Sequence, residues 1–200
     1  ICGAELIDGR VLQGDAYVSA LPYEVLLQVL PHEVSTSDFF SRVSGLRTSP
    51  IVGIHIWYEK TIMDQEFVAI LNNPVQWVFN KSLIHGLDYI DGQYLTISVS
   101  SAWDYMNTPK HELKKLFCDE MQRLLPEARG AQLRKVLVVK ERQATFRSLP
   151  GTGRLRPSQK TSIPNLFVAG EGTDTGWPST MEGAVRSGVL AAQALLNKGI

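Results

Sequence analysis

Residues 166–196 read LFVAGEGTDTGWPSTMEGAVRSGVLAAQALL, and this stretch predicts a strand, a turn and a helix in succession. The apolar run 166–169 follows a Pro-Asn pair and ends at a glycine, which is typical of a strand buried on both faces. The glycine-rich turn after it carries two acidic residues, Glu171 and Asp174. Because ligands of open α/β sheets bind beyond the carboxyl ends of the strands, this turn is a candidate binding site.

The helix after the turn is predicted from its start signals and from its small residues. Pro178, and Ser179 with Glu182 three residues later, have the spacing of a capping box. The small residues of the helix fall mostly on one side, and they are Gly183, Ala184, Ser187, Gly188, Ala191 and Ala192. Glycine lowers the stability of a helix interior by about 1 kcal/mol relative to alanine, so we expect close packing on this side to offset the loss.

Two groups at the turn are candidates for holding a ligand. Glu171 is expected at the strand end, where a carboxylate accepts hydrogen bonds from sugar-like hydroxyls. The free N–H groups near Thr180 and Met181 are expected to donate to an oxygen that carries negative charge. Strand–turn–helix units are also common as purely structural elements, and the residues alone leave that alternative open.

The stretch resembles the C-terminal FAD motif of the flavin-containing amine oxidase and carotenoid desaturase superfamily. LFVAGE at 166–171 and TMEGAVRSG at 180–188 carry this resemblance. TDTGWP at 173–178 is similar to the corresponding segment of the squalene-associated FAD-dependent desaturases, the hydroxysqualene dehydroxylases. Aspartate is commoner in the desaturases where Glu171 stands, which is a mild change within the superfamily. Leucine is usual where Trp177 stands, and this second difference leaves the shape of the substrate pocket open.

The resemblance implies FAD as the cofactor and assigns roles to residues. The acidic residue of the motif holds the ribityl chain, and the start of the helix approaches the pyrimidine edge of the flavin. A proline in the segment that returns to the flavin lies near the isoalloxazine ring. The implied cofactor-binding residues are Gly170, Glu171, Gly172, Thr180 and Met181, and the implied substrate contacts are Trp177 and Pro150.

The same resemblance implies an activity, the reductive removal of an allylic hydroxyl from a C30 isoprenoid to give squalene. Three alternatives remain: a carotenoid desaturase of the phytoene type, a flavin amine oxidase, and a non-catalytic binding module. No catalytic acid, base or nucleophile is assigned. Asp174 is the nearest candidate by location, but an aspartate in this position is better explained as a turn former.

The composition bounds the class of protein and its partners. An apolar fraction of 44% and a charged fraction of 20% over 200 residues indicate a globular protein, and a net charge of zero favours no nucleic acid. Two cysteines and four histidines show no metal-ligand spacing, and His55 is interpreted as a structural residue within a strand. The cysteines are expected to be reduced thiols, which fits a cytoplasmic protein, and the resemblance implies an isoprenoid lipid substrate. The basic stretch 134–160 leaves peripheral contact with the inner face of a membrane open.

The organisation of the chain predicts a mixed α/β protein that is the C-terminal portion of a longer flavoprotein. No Gly-x-Gly-x-x-Gly phosphate loop is found, so we expect a missing N-terminal portion as a partner and no activity for this portion alone. Residues 1–40 are predicted to be a returning part of the FAD-binding domain. Residues 41–148 are predicted to form a mixed-sheet substrate domain, and 149–200 the C-terminal FAD-binding strand, turn and helix.

Local signals predict the elements of these segments. A hairpin is predicted in 1–21 with its turn at Asp8-Gly9, followed by a helix over 23–30 and a polar crossing over 31–50. A later helix is predicted to begin with Thr108 as N-cap and Pro109 as first residue, and to cover the sheet. The strands of that sheet are predicted at 51–58, 67–71, 76–80, 94–100 and 133–140.

Overall fold

The computed structural model describes residues 1–87 and 92–197 and divides the chain into two compact units. Unit 1 combines residues 1–48 with the chain from Thr145 onward, and unit 2 is Ser49–Ala144. The predicted segments 41–148 and 149–200 extend over 88–91 and 198–200, which lie outside the described residues. The functional roles of the three predicted segments stay predictions.

The described residues form strands and helices that range from two to sixteen residues in length. The strands are β1 (Ala4–Glu5), β2 (Val11–Leu12), β3 (Tyr17–Ser19), β4 (Thr48–Tyr58), β5 (Phe67–Ala69), β6 (Trp77–Asn80), β7 (Gln93–Ser100), β8 (Leu133–Phe146) and β9 (Leu166–Val168). The helices are α1 (Tyr23–Val29), α2 (His32–Ser35), α3 (Asp38–Val43), α4 (Lys81–Ile84), α5 (Lys110–Leu124) and α6 (Met181–Leu196).

In unit 1 the strand β9 pairs in parallel with β3, and Val18 lies opposite Phe167. All three residues of β9 are at most 5% exposed. The buried strand that the apolar run predicts is therefore confirmed. Phe40 of α3 and Leu26 of α1 pack in the same apolar cluster as Leu166 and Val168 of β9.

The N-terminal hairpin is confirmed, but its turn differs from the prediction. The N–H of Gly9 donates to the carbonyl of Leu6 at 2.9 Å, and the N–H of Leu6 donates to the carbonyl of Arg10 at 2.8 Å. Ile7 and Asp8 are therefore the central residues of the turn. Gly9 follows with a φ of 82°, the left-handed conformation that a three-residue connection with a bulge requires.

The segment 31–50 is not a plain crossing, because it forms two short helices, α2 and α3. Phe40 and Val43 of α3 are 1% and 4% exposed. Burial of these two apolar side chains stabilises helices whose polar sequence alone favours a connection. The strand β4 then begins at Thr48, three residues before the predicted start.

Unit 2 is a five-stranded sheet in the order β5-β6-β7-β4-β8, covered by α5. The pairs β5/β6, β6/β7 and β4/β7 are antiparallel, and the predicted strands are confirmed, although β8 continues to Phe146. One face of the sheet is the core of the unit. Its fully buried side chains include Val52, Ile54, Ile56, Leu95, Ile97, Leu113 and Phe117.

The start of α5 lies one residue later than predicted. The carbonyl of Pro109 accepts the N–H of Leu113 at 3.1 Å, which makes Pro109 the N-cap and Lys110 the first helical residue. The hydroxyl of Thr108 donates to the carbonyl of Asp104 at 3.2 Å and does not cap the helix. The covering role of the helix is confirmed, since Leu113, Phe117 and Met121 are buried against the sheet.

The described residues contain no candidate for a membrane-spanning helix, a metal site or a disulfide. Within residues 1–87 and 92–197, no helix is long and apolar enough to cross a bilayer, and no cluster of side chains has the make-up of a metal site. Both cysteines are free thiols. Burial raises the pKa of the Cys118 thiol, and the charge of Asp119 raises it further.

Replacing Gly92 with alanine is expected to lower the free energy of unfolding by at least about 2 kcal/mol, because of backbone strain and a steric clash. Gly92 has a φ of 98°, and a Cβ there would lie 2.0 Å from the carbonyl oxygen of Tyr58. The measurement is urea unfolding of the protein. Gly130→Ala is the matched control, since the nearest atom to a Cβ there is the flexible end of Lys60 at 3.8 Å. Equal effects of the two substitutions would contradict this account.

Candidate functional site

The turn after β9 is attached directly to the side of α6. Gly170 adopts a φ of 124°, and its N–H donates to the hydroxyl of Ser187 at 2.7 Å. Ser187 is completely buried and its hydroxyl also donates to the carbonyl of Ala184 at 2.6 Å. A buried serine in the helix therefore fixes the backbone where the strand ends.

The Glu171 side chain is half-buried and is held by Ser179. The Ser179 hydroxyl donates to the Glu171 carboxylate and is also paired with the hydroxyl of Thr145. The predicted capping box is therefore wrong, because Ser179 is used by the turn. Glu182, the other member of that box, instead forms an ion pair with Arg186 at 2.8 Å.

Thr180 is the N-cap of α6. Its hydroxyl oxygen accepts the N–H of Gly183 at 3.2 Å, and its carbonyl accepts the N–H of Ala184 at 3.0 Å. Met181 is the first helical residue, and its side chain is 89% exposed. The N–H groups of Met181 and Glu182 have no acceptor within the helix, so they point their partial positive charge at the space before it.

The close packing predicted from small residues is confirmed for part of α6. Gly183, Ser187 and Ala191 are buried, and a Cβ at Gly183 would lie 2.5 Å from the carbonyl oxygen of Pro178. Gly188 and Ala192 are exposed, and a Cβ at Gly188 would meet nothing within 4 Å. Close packing therefore follows a single row at four-residue spacing.

Arg156 is a functional candidate that the sequence reasoning missed. Its guanidinium donates to the carbonyls of Trp177 at 2.7 Å and of Glu171 at 3.1 Å, and it lies 5.1 Å from the ring centroid of Phe146. Its Nε is buried and has no hydrogen-bond partner among the described residues. Arg156 thus joins both ends of the turn, a role that a position in a basic run does not reveal.

Hydrogen bonds hold the other residues of the turn, Thr173 and Asp174, in place. Asp174 accepts the N–H of Gly176 at 3.1 Å and is a turn former, as predicted. Gln159, which is 8% exposed, donates to the hydroxyl of Thr173 at 3.2 Å and to the carbonyl of Asp174 at 2.9 Å. The shape of the turn is therefore set by side chains from the segment before β9.

Tyr23 of α1 lies beside the turn. A Cβ on Gly172 would lie 3.6 Å from the Tyr23 ring, and the Tyr23 hydroxyl donates to the carbonyl of Leu46 at 3.0 Å. Burial raises the pKa of the Tyr23 phenol, and the neighbouring carboxylates of Glu24 and Glu171 raise it further. The Tyr23 side chain beside the turn is therefore an uncharged phenol at neutral pH.

The structure brings most of the predicted site residues together. Gly170, Glu171 and Gly172 form one turn, which Ser179 connects to the helix start at Thr180 and Met181. Trp177 is joined to this turn through Arg156, and its ring is covered by the Arg186 guanidinium at 4.1 Å. Pro150 is exposed in a separate loop and has no hydrogen bond to the turn within the described residues, so its place near a substrate stays a prediction.

These groups fit the chemistry of a flavin dinucleotide. A half-buried carboxylate and a serine hydroxyl at the strand end can pair with the hydroxyls of a sugar alcohol. The first-turn N–H groups of α6 can donate to an electron-rich ring edge. Glu171, Ser179 and the start of α6 are therefore the groups that would hold FAD in unit 1.

Comparison with known families decides the class of protein. The family model of flavin-containing amine oxidoreductases matches residues 2–196. The chain belongs to this family. The predictions of the superfamily, of a flavin-dependent oxidoreductase and of FAD as cofactor are confirmed at the level of the family.

Relatives of this amine oxidoreductase chain include carotenoid enzymes. It is 29% identical to 15-cis-phytoene desaturase of Synechococcus elongatus, over 98% of this chain and 43% of the relative. It is 26% identical to zeta-carotene desaturase of Arabidopsis thaliana, over 95% of this chain and 38% of the relative. The chain thus spans less than half the length of these relatives.

A solved structure with a similar fold is cyclohexylamine oxidase of Brevibacterium oxydans, with a TM-score of 0.72 and 14% identity. The match covers 94% of this chain and 44% of the other. At this identity the likeness concerns the fold. The predicted mixed α/β fold class is confirmed.

Replacing Thr180 with alanine is expected to lower the free energy of unfolding by about 1 kcal/mol, because the N–H of Gly183 loses its acceptor. Thermal or urea unfolding of the protein measures the change. Thr180→Ser is the matched control, since it keeps the hydroxyl and should stay close to the parent protein. A serine variant as damaged as the alanine variant would argue against capping by this side chain.

Proposed function

We propose that the protein is an FAD-dependent oxidoreductase that acts on an isoprenoid lipid, and that it removes the allylic hydroxyl of hydroxysqualene to give squalene. The observation that carries the flavin part is the Glu171 carboxylate, held by Ser179 immediately before the cap of α6. The turn sequence at 173–178, which resembles that of the dehydroxylases, supports the choice of reaction.

The residues of unit 1 supply binding and orientation in this proposal. Glu171 accepts hydrogen bonds from the ribityl hydroxyls, and the first-turn N–H groups of α6 stabilise negative charge on the ring edge. Bound FAD, when reduced, would supply the hydride that replaces the hydroxyl, and the hydroxyl would take up a proton from solvent and leave as water. Arg156 keeps both ends of the turn in place through the carbonyls of Glu171 and Trp177.

An apolar surface in unit 2 supports a lipid substrate. On the face of the sheet opposite the core, Phe67 lies across from Phe79, and Trp77 is stacked on Phe79 with ring centroids 6.0 Å apart. Large side chains on this face are exposed to water, with Phe67 at 55% and Trp77 at 41%. Exposed apolar patches of this kind mark binding surfaces, and a hydrocarbon chain is a suitable occupant.

A second candidate is a carotenoid desaturase of the phytoene type. It is favoured by the relatives named above, a phytoene desaturase and a zeta-carotene desaturase. Both candidates use the same proposed flavin groups and the same apolar face. They differ in whether the substrate carries a hydroxyl and in the direction of electron flow.

Product analysis separates the two candidates. The full-length protein that contains this chain, loaded with FAD and chemically reduced under anaerobic conditions, is expected to convert hydroxysqualene to squalene. The FAD-loaded protein, when oxidised, is expected to leave phytoene unchanged. Gas chromatography with mass spectrometry of the extracted lipids gives the result. Desaturated phytoene without any squalene would replace the first candidate by the second.

Replacing Glu171 with alanine is expected to weaken FAD binding about tenfold to a hundredfold, since a charge-assisted hydrogen bond is worth about 1.5–3 kcal/mol. Equilibrium dialysis of FAD against the full-length apoprotein measures this affinity. Glu33→Ala is the matched control, because Glu33 is an exposed carboxylate on α2, outside the turn. Unchanged affinity in the Glu171 variant would remove this residue from the flavin site.

A further inference from the structure

Two polar side chains, His55 and Tyr94, are hydrogen-bonded to each other on the apolar face of the unit 2 sheet. His55 on β4 lies across from Thr96 on β7, and Trp57 lies across from Tyr94. Side chains directly opposite in an antiparallel pair share a face. Their neighbours in sequence, such as Ile54 and Ile56, are fully buried in the core, so His55 and Tyr94 belong to the opposite face.

Two hydroxyls converge on one nitrogen of the His55 ring. Nδ1 lies 2.6 Å from the Tyr94 hydroxyl and 3.4 Å from the Thr96 hydroxyl. Burial lowers the pKa of His55, and the positive charge of Lys81 lowers it further, so the ring is neutral at neutral pH. A neutral imidazole has one N–H and one acceptor nitrogen. When the Tyr94 hydroxyl donates to Nδ1, the hydrogen of the neutral ring is on Nε2.

Nε2 is the second nitrogen of the His55 ring, and neither of these two hydrogen bonds involves it. It has no hydrogen-bond partner among residues 1–87 and 92–197. A Cβ added to Gly53 would lie 3.5 Å from it, so the glycine leaves the space beside this nitrogen open. His55 is half-buried, and an N–H at Nε2 is able to donate to a ligand that brings an acceptor.

Aromatic rings hold the imidazole in position. The rings of Trp57 and Tyr94 are parallel within 2° with centroids 4.5 Å apart, and the His55 ring stacks at 5.9 Å from Tyr94. The ammonium of Lys135 lies 5.0 Å from the Trp57 ring centroid. Stacking on both strands restricts the rotation of the imidazole, so the direction of its N–H is fixed before a ligand arrives.

From this arrangement we infer that Nε2 of His55 donates a hydrogen bond to an oxygen of a ligand whose remaining surface is hydrocarbon. Tyr94 is the positioning residue that fixes the tautomer. The ligand class is an isoprenoid alcohol, which deepens the proposed function and rests on it. A pure hydrocarbon would bind the same aromatic face and leave the N–H unpaired, so the pair selects for the hydroxyl.

Binding to the oxidised, FAD-loaded full-length protein tests the inference, because no hydride is then present to convert the ligand. The probes are hydroxysqualene and squalene, which differ by one hydroxyl. The parent protein is expected to bind the alcohol about threefold to tenfold more tightly, the range for one neutral hydrogen bond. His55→Phe keeps the ring stack and should bind both probes equally. His55→Gln, which restores an N–H donor, should recover part of the preference.

The control variant is His111→Phe, the same substitution at a histidine on α5 whose side chain is 80% exposed. It should keep the preference of the parent protein. Tyr94→Phe removes one oxygen atom and should reduce the preference, and this variant decides the matter should His55→Phe not retain FAD. A preference that survives in both variants, an equal loss for both probes, or no preference in the parent protein would each overturn the inference.

These outcomes are separate from those of the proposed reaction. A protein that desaturates phytoene and makes no squalene would refute the proposed function, while the alcohol preference and its loss in His55→Phe would still stand. Conversely, squalene production with an unchanged preference in His55→Phe would refute the inference alone.

Discussion

The hydrogen bond from the Ser179 hydroxyl to the Glu171 carboxylate is the constraint on which the candidate flavin site depends. It joins the turn after β9 to the residue just before the cap of α6, and the bond from the Gly170 N–H to Ser187 fixes the same turn from the side. Strand end, turn and helix start are therefore one rigid assembly. A ligand hydroxyl that pairs with Glu171 shares this carboxylate with Ser179, and because a carboxylate only accepts hydrogen bonds, the ligand hydroxyl has to donate.

The sheet of unit 2 assigns different tasks to its two faces. One face is a core of buried apolar side chains under α5, which stabilises the unit. The other carries exposed aromatic rings with the His55–Tyr94 pair among them. Apolar surface gives affinity for a hydrocarbon and a few fixed polar groups give specificity, and this face has both. The alternation of side chains along β4 and β7 is what separates the two tasks.

The sequence predicts elements better than it predicts partners. The buried strand β9 and the strands of unit 2 follow from apolar runs and alternation, which are local properties. The sequence predicts the cap of α6 one residue too early, because Ser179 and Thr180 both suit an N-cap. In the structure Ser179 pairs with Glu171, and Thr180 caps the helix. Likewise α3 depends on the burial of Phe40. The hydrogen bond between His55 and Tyr94 joins residues 39 positions apart, and it could not be predicted because strand register is not visible in the pattern.

Arg156 illustrates how a charged side chain can act as part of the backbone scaffold. Its planar group reaches two carbonyls on opposite ends of one turn and lies over the Phe146 ring at the same time. An ammonium group is a compact point charge and has no plane to stack or to fork between two acceptors. Lysine carries the same charge as arginine, so the exchange looks conservative. A lysine here would nevertheless release at least one end of the turn, because its ammonium cannot hold both carbonyls and stack on the Phe146 ring at once.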